Sequence, residues 1–264
     1  MSKVITFGNY KGGVGKSTLT EIMSYIFSEK LNKKVLAIDT DPQANLTDKL
    51  FRTFNKDVSE LPKEENRLMS AIEQADLSKA IVTMSDNLDL MVGDWNIERF
   101  HDTISELDNK ARYYLLYSLL ENVSPAYDYV FIDTRPSTDL MTNNAVCASD
   151  YIVIASKSEE DSFTSTIKYF EYLKRMTEYN PELNLLGIVN YLVNLRGYVD
   201  NQIIERFDKE FENHMLQSKI KSSEVVKRWG LHGITEHKSY DKKVMNMYLD
   251  VAEEMNQRIE SLEG

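Results

Sequence analysis

An apolar run, Val4-Ile5-Thr6-Phe7, leads through a glycine-rich turn, Lys11-Gly12-Gly13-Val14-Gly15-Lys16-Ser17-Thr18, into an amphipathic stretch. That stretch sets Leu19, Ile22, Met23, Ile26 and Phe27 on one helical face. Strand, glycine loop and helix start, in this order, are the context that a phosphate-binding loop requires. Gly12, Gly13 and Gly15 let the backbone curl until several N–H groups aim at one anion. The helix adds its positive N-terminal end, and Lys16 adds a full charge. Ser17 is placed to put a hydroxyl on a magnesium ion, beside Val14 and Thr18 in the same cradle. The strict spacing G-x-x-x-x-G-K-[ST] needs glycine at position 10, where this chain has Tyr10. It carries instead a second lysine, Lys11, five residues before the first. One lysine suffices for the β- and γ-phosphates. A second either sits solvated at the rim or reaches a nucleotide held by another subunit, as an arginine finger does.

The run K-G-G-V-G-K-S-T resembles the deviant Walker A family of ATPases, which includes ParA, MinD, nitrogenase iron protein and arsenite-pump ATPases. The resemblance implies that Lys11 acts across a nucleotide-sandwich homodimer. It also implies ATP as the nucleotide, which these residues alone do not specify.

The 264 residues lie between one and two average domains, at about 150 residues per domain. Strand and helix patterns alternate, which predicts an α/β fold: a doubly wound, mostly parallel sheet with helices on both faces. Strands are expected at 3–8, 34–39, 88–92, 128–133, 150–155 and 184–191. Helices are expected at 16–31, 67–75, 109–122, 160–178, 198–214 and 240–261. Residues 53–66, polar and charged with Pro62, read as an exposed loop or insertion. One P-loop domain over 1–264 is the expectation, with no N-terminal helix-turn-helix domain, since nothing precedes the first strand. A net charge of −11 argues against a chain coated in nucleic acid but leaves room for a local basic patch. Cys147 is the single cysteine, in the apolar stretch Ala145-Val146-Cys147-Ala148, and reads as a small buried side chain. No intrachain disulfide is possible, no signal peptide is evident, and no apolar run approaches the ~20 residues that span a bilayer. A cytoplasmic, nucleoid-associated location is the expectation.

The second strand ends in Asp39-Thr40-Asp41-Pro42-Gln43-Ala44-Asn45. Carboxylates leaving the C-terminal end of a strand in an open α/β sheet point into the ligand crevice. One would support magnesium and its waters while the other orients the attacking water. The resemblance to switch I of the partition ATPases assigns Asp39 to the metal shell and Asp41 to the water. Asn45 is read as the cap of a helix starting at Leu46. Asp133 ends the apolar strand Tyr129-Val130-Phe131-Ile132 and fits a Walker B position, joining Ser17 and Asp39 around the metal. The family continues D-x-P-P where this chain has Asp133-Thr134-Arg135-Pro136. Arg135 either loosens switch II or brings an extra cation to the γ-phosphate or a partner. Asn190, at the end of Leu186-Gly187-Ile188-Val189-Asn190, resembles an adenine contact of the family's late strand; its other reading is a hydrogen-bonded loop asparagine.

Relatives can be separated by chemistry. Nitrogenase iron protein needs two cysteine thiolates from each subunit, and this chain has one. A metal-regulated arsenite ATPase fails for the same reason. MinD ends in a membrane helix basic on its polar face. Here the last helix pairs the stripe Val244, Tyr248, Val251, Met255, Ile259 and Leu262 with Asp250, Glu253, Glu254, Glu260 and Glu263, so no membrane contact is expected. Residues 219–243 carry seven basic against three acidic side chains: Lys219, Lys221, Lys227, Arg228, Lys238, Lys242 and Lys243 against Glu224, Glu236 and Asp241. Such a segment is either a solvated face or a surface that binds nucleic acid by counterion release. Arg196, in Tyr191-Leu192-Val193-Asn194-Leu195-Arg196, resembles the DNA-contacting arginine of the family's T-M-x-x-x-R segment.

The resemblance therefore implies a ParA-type ATPase for plasmid or chromosome segregation. Lys11, Lys16 and Asp41 would carry catalysis with Mg2+ and ATP. The partners would be a second subunit, nonspecific DNA and a centromere-binding ParB-like protein that stimulates otherwise slow hydrolysis. Two rival readings are a MinD-like positioning ATPase on a protein or membrane array, and a metabolic P-loop phosphotransfer or ligase enzyme.

Overall fold

Strands that are apolar on both faces must be covered from both sides, and that requirement organises the chain. The computed structural model describes residues 2–264. In its first half come β1 (Lys3–Gly8), α1 (Lys16–Tyr25), β2 (Val35–Asp39), α2 (Asn45–Thr53), α3 (Leu68–Glu73), β3 (Ile81–Ser85), β4 (Leu88–Met91), α4 (Phe100–Thr103), α5 (Asn109–Leu120) and β5 (Tyr129–Asp133). The remainder supplies α6 (Leu140–Cys147), β6 (Tyr151–Lys157), α7 (Glu160–Met176), β7 (Asn184–Val193), α8 (Tyr198–Phe211), β8 (Ile220–Lys221), α9 (Glu224–His232) and α10 (Ser239–Glu263).

The strands form an eight-stranded sheet in the order β3-β4-β2-β5-β1-β6-β7-β8. Every neighbouring pair is parallel except β3 and β4, which a two-residue turn joins as an antiparallel hairpin. Alternate residues of each strand supply the two faces. Ile5, Phe7, Val35, Ala37, Phe131 and Val153 pack with α1, α9 and α10. On the opposite face, Leu36, Ile38, Val130 and Ile132 meet α3, α5 and α6, while Ile152, Ile154 and Ile188 meet α7 and α8. The doubly wound α/β fold read from the alternating pattern is therefore the observed one.

The six expected strands are present within two residues at each end. β3 and β8 were not legible: β3 is a half-exposed edge strand, and β8 has two residues, too few to show a period. α4, α6 and α9 were not legible either. The expected helix over 16–31 is α1 followed by a π-helical turn, Ile26–Lys30. Val244, Tyr248, Val251, Met255 and Ile259 of α10 are buried in the first core, while Leu262 is exposed. No helix among the described residues is long and apolar enough to cross a membrane. Cys147 is buried, and desolvation pushes its thiol pKa up to about 12, leaving it inert.

Candidate functional site

Three strand ends meet at one point of the sheet. The parallel register sets Asp39 of β2 beside Asp133 of β5, and Asp133 beside Phe7 of β1, immediately before the glycine loop. Gly13 and Gly15 take left-handed conformations, at φ 72° and 95°, and Gly15 is the N-cap of α1. Gly15 is required twice over. A side chain there would be strained, and its Cβ would lie 2.1 Å from the Tyr191 ring. Val14 is buried in the core, so it anchors the loop while its neighbours face outward.

The loop opens into a cleft of about 520 Å³. Gly12, Gly13, Gly15, Lys16, Ser17 and Thr18 line one wall, with Asp41 and Asn45 of the following segment. Thr134 and Pro136 close another side, and Lys49, Tyr191, Leu192, Ser222, Ser223, Val226, Lys227 and Gly230 form the far end. From sequence these residues are not placed at the cleft, and Lys227 reads as a surface base, because they come from α2, the end of β7, and α9 with the two serines before it. Their one local signal is the N-cap serine Ser223, whose hydroxyl accepts from the Val225 N–H. Asn45 does not cap α2 as expected. The cap is Ala44, in a left-handed turn at φ 51°, and Asn45 is the first helical residue, facing the cleft.

The buried charges are arranged for a cation. Both Asp133 carboxylate oxygens are buried without a hydrogen-bond partner among the described residues. Desolvation, reinforced by Asp39, pushes the Asp133 pKa up to about 8, against the pull of Ser17 and Lys16. Asp39 is also fully buried, and desolvation raises it to about 7, but its oxygens are engaged. One accepts from the Thr47 N–H and hydroxyl at 2.8 and 2.9 Å, and the other from the Asp41 N–H at 3.2 Å. Burial lowers the Lys16 pKa, and the Asp133 and Asp41 charges oppose that fall. A magnesium ion held by one or two carboxylates, a hydroxyl, waters and phosphate oxygens fits this donor set. No group of three or more His, Cys, Asp and Glu among the described residues forms an all-protein cage.

Lys11 stands apart from Lys16. It does not line the cleft made by its own loop, is 38 % exposed, and pairs at 3.1 Å with the exposed Asp161 of α7. Arg135 is engaged within the chain. Its guanidinium pairs with Asp139, at the N-cap of α6, and with Glu98 at 2.7 Å. It is absent from the cleft lining, and its two ion pairs tie the loop after β5 to Glu98 and to the start of α6. Asn190 also lies off the cleft lining. It is fully buried beside Ser156 in the β6–β7 register, with neither side-chain polar atom hydrogen-bonded.

The basic residues fall into two groups. Arg196 lies exposed in the β7–α8 loop, and Lys221 lies opposite Val193 at the same sheet edge. Lys242 and Lys243 are exposed on the first turns of α10, and Lys219 is half-buried. Arg228 is committed to the buried Asp241 carboxylate. Lys227 pairs with Glu224 at 2.6 Å and lines the far end of the cleft.

A glycine loop at the C-terminal end of a central parallel strand, with buried carboxylates at the ends of the next two strands on one side, β5 and β2, defines a P-loop nucleotide-binding protein. A family model described as an AAA domain matches residues 2–185, and the chain belongs to that family, as a protein of the ParA type. It is 28% identical over 228 residues to a virulence plasmid ParA family protein, pGP5-D, of Chlamydia psittaci, covering 86% of this chain and 83% of the relative. A putative plasmid partition protein from Borrelia burgdorferi, crystallised with AMPPNP, superposes with a TM-score of 0.79 at 25% identity. That match covers 97% of this chain and 99% of the other. Cobyrinic acid a,c-diamide synthase from Mycobacterium smegmatis, with ADP and magnesium, shares the fold at a TM-score of 0.78 and 22% identity, covering 96% and 93%.

Proposed function

We propose that this chain is an ATP-dependent DNA partition ATPase whose Mg-ATP-bound form is a sandwich homodimer that binds DNA without sequence preference. The observation that carries this reading is the different placement of its two loop lysines. Lys16 is buried in the cleft, whereas Lys11 lies outside it, held only by the exposed Asp161, from which it would swing to a nucleotide bound by a second subunit. Ser17 and Asp133 would hold magnesium, with Asp39 behind them, and the ion would neutralise charge building on the phosphate oxygens. Asp41, which lines the cleft beside the loop, orients the attacking water. The exposed Arg196, Lys221, Lys242 and Lys243 are the residues offered to DNA phosphates, with Lys219 beside them. A centromere-binding ParB-like partner stimulates slow hydrolysis and resets the switch.

The test is an ATP-dependent gel shift on random-sequence DNA. Retardation with Mg-ATP that weakens steeply as salt rises is the expected result. No retardation at low salt would remove the partition reading. Stimulation of turnover by a small molecule, with no effect of DNA, would favour the metabolic rival.

A further inference from the structure

Asn9, the residue after β1, takes no part in the site described above, yet its side chain is fully employed. It is 1% exposed and lies off the cleft lining. Its amide nitrogen donates to the Ala155 carbonyl of β6 at 2.7 Å and to the Thr166 hydroxyl of α7 at 3.1 Å. Its oxygen accepts from the Lys11 backbone N–H at 3.1 Å and from the Ser165 hydroxyl of α7 at 2.9 Å. Both donor hydrogens and both acceptor positions of the amide are thereby used. Thr166 is in turn held by the Ser162 carbonyl at 2.8 Å and the Ser156 hydroxyl at 2.9 Å. Between Asn9 and Lys11, Tyr10 sets its ring edge-on to Tyr169 at 5.0 Å and against Tyr172 at 5.6 Å, both on α7. The backbone leading into Lys11 is thus clamped to β6 and α7. The Lys11 ammonium is tied only to an exposed carboxylate. A fixed backbone carrying a side chain held only by one exposed ion pair is the arrangement of a group that must reach a target outside its own cleft.

We propose that Asn9 is the positioning residue for Lys11, aiming that lysine through its backbone from anchors on β6 and α7. Asn9 contributes nothing directly to nucleotide affinity. The proposal rests on the reading of Lys11 as acting across the dimer.

The experiment compares full-length Asn9→Ala, Thr166→Val and Thr166→Ser, measuring the Kd of a fluorescent ATP analogue and the kcat of ATP hydrolysis. Asn9→Ala should keep its Kd within about twofold and lose about 100-fold in kcat, the effect of a misplacement near 1 Å. Thr166→Val, which removes one tether, should lose about tenfold, and Thr166→Ser should restore the rate by returning the hydroxyl. Loss of affinity as large as the loss of kcat would overturn the proposal. Next, Asn9→Ala is mixed with equimolar Asp41→Ala. Half the dimers are then mixed, each with one site combining an intact Asp41 with a correctly aimed partner lysine. Activity should return to about a quarter of the wild-type rate. A parallel mixture of Lys11→Ala with Asp41→Ala tests the underlying reading. Recovery there without recovery for Asn9→Ala would refute the positioning role alone. Recovery in neither would remove the trans reading and the proposal with it. If Asn9→Ala does not fold, Thr166→Val enters the same mixture and is judged by the same outcomes.

Discussion

Asp133→Asn should stabilise the nucleotide-free protein while removing its response to magnesium. The folded chain holds the Asp133 carboxyl with a pKa near 8, against an ordinary value of 3.8, because burial and Asp39 oppose ionisation. A raised folded pKa means that the folded state binds more protons than the unfolded state across this interval. Stability is therefore greatest below the unfolded value and is lost as pH rises through the folded one. At pH 7 the group is mostly protonated when folded, and the gap from pH 7 down to 3.8 corresponds to a ceiling of about 4 kcal/mol. Coupling to Asp39 and the imperfect pairing of a buried amide reduce the expected gain to about 1–3 kcal/mol. For a chain of this size that is about 3–10 °C in Tm. The assay is thermal unfolding from pH 5 to 8.5, with and without Mg-ATP. Wild type should lose stability as pH rises and regain it with Mg-ATP. The variant should show a flatter pH profile and a smaller ligand-induced rise. A variant that melts at or below wild type from pH 7 to 8.5, or that keeps the wild-type slope, would refute the placement of an unpaired carboxylate there.

Asp41→Ala should still bind ATP and DNA while turnover falls about 10²–10⁴-fold, and normal hydrolysis would show that Asp41 does not orient the water. Gly15→Ala should lose about 2–4 kcal/mol, combining left-handed strain with displacement of the Tyr191 ring. Gly13→Ala, with open space around the new methyl, should lose only about 1 kcal/mol, so equal Tm losses would contradict the ring contact. Arg135→Ala should leave the Kd for ATP unchanged and cost less than about 2 kcal/mol, since its ion pairs are partly solvated. A tenfold rise in that Kd would place its guanidinium on the nucleotide side after all.

Legibility followed the range of the interactions. Lys11 to Thr18 announced the loop because glycine tolerance, the helix start and the lysine charge are properties of neighbouring residues. Tyr129 to Asp133 announced a central strand because a continuous apolar run requires cover on both faces. The segment Asp39 to Asn45 was legible as a carboxylate pair, but its internal assignment was not. Asp39 binds Thr47 eight residues later, and Ala44 takes the left-handed turn that displaces Asn45 from the expected cap. Arg135 illustrates the same limit. The sequence said nothing of the distant Glu98 with which the folded chain pairs it, besides the nearby Asp139.

By itself, the sequence determined that a phosphate loop lies on an α/β sheet, that it carries two lysines, and which strands carry the carboxylates. These follow from local backbone geometry and the period of apolar residues. Only the tertiary structure decided which carboxylate is left unpaired, which residues of α2, β7 and α9 complete the cleft, and that Asn9 ties Lys11 to α7. Each of those depends on side chains distant in sequence meeting within a few ångströms, after the parallel register has set the strand ends side by side.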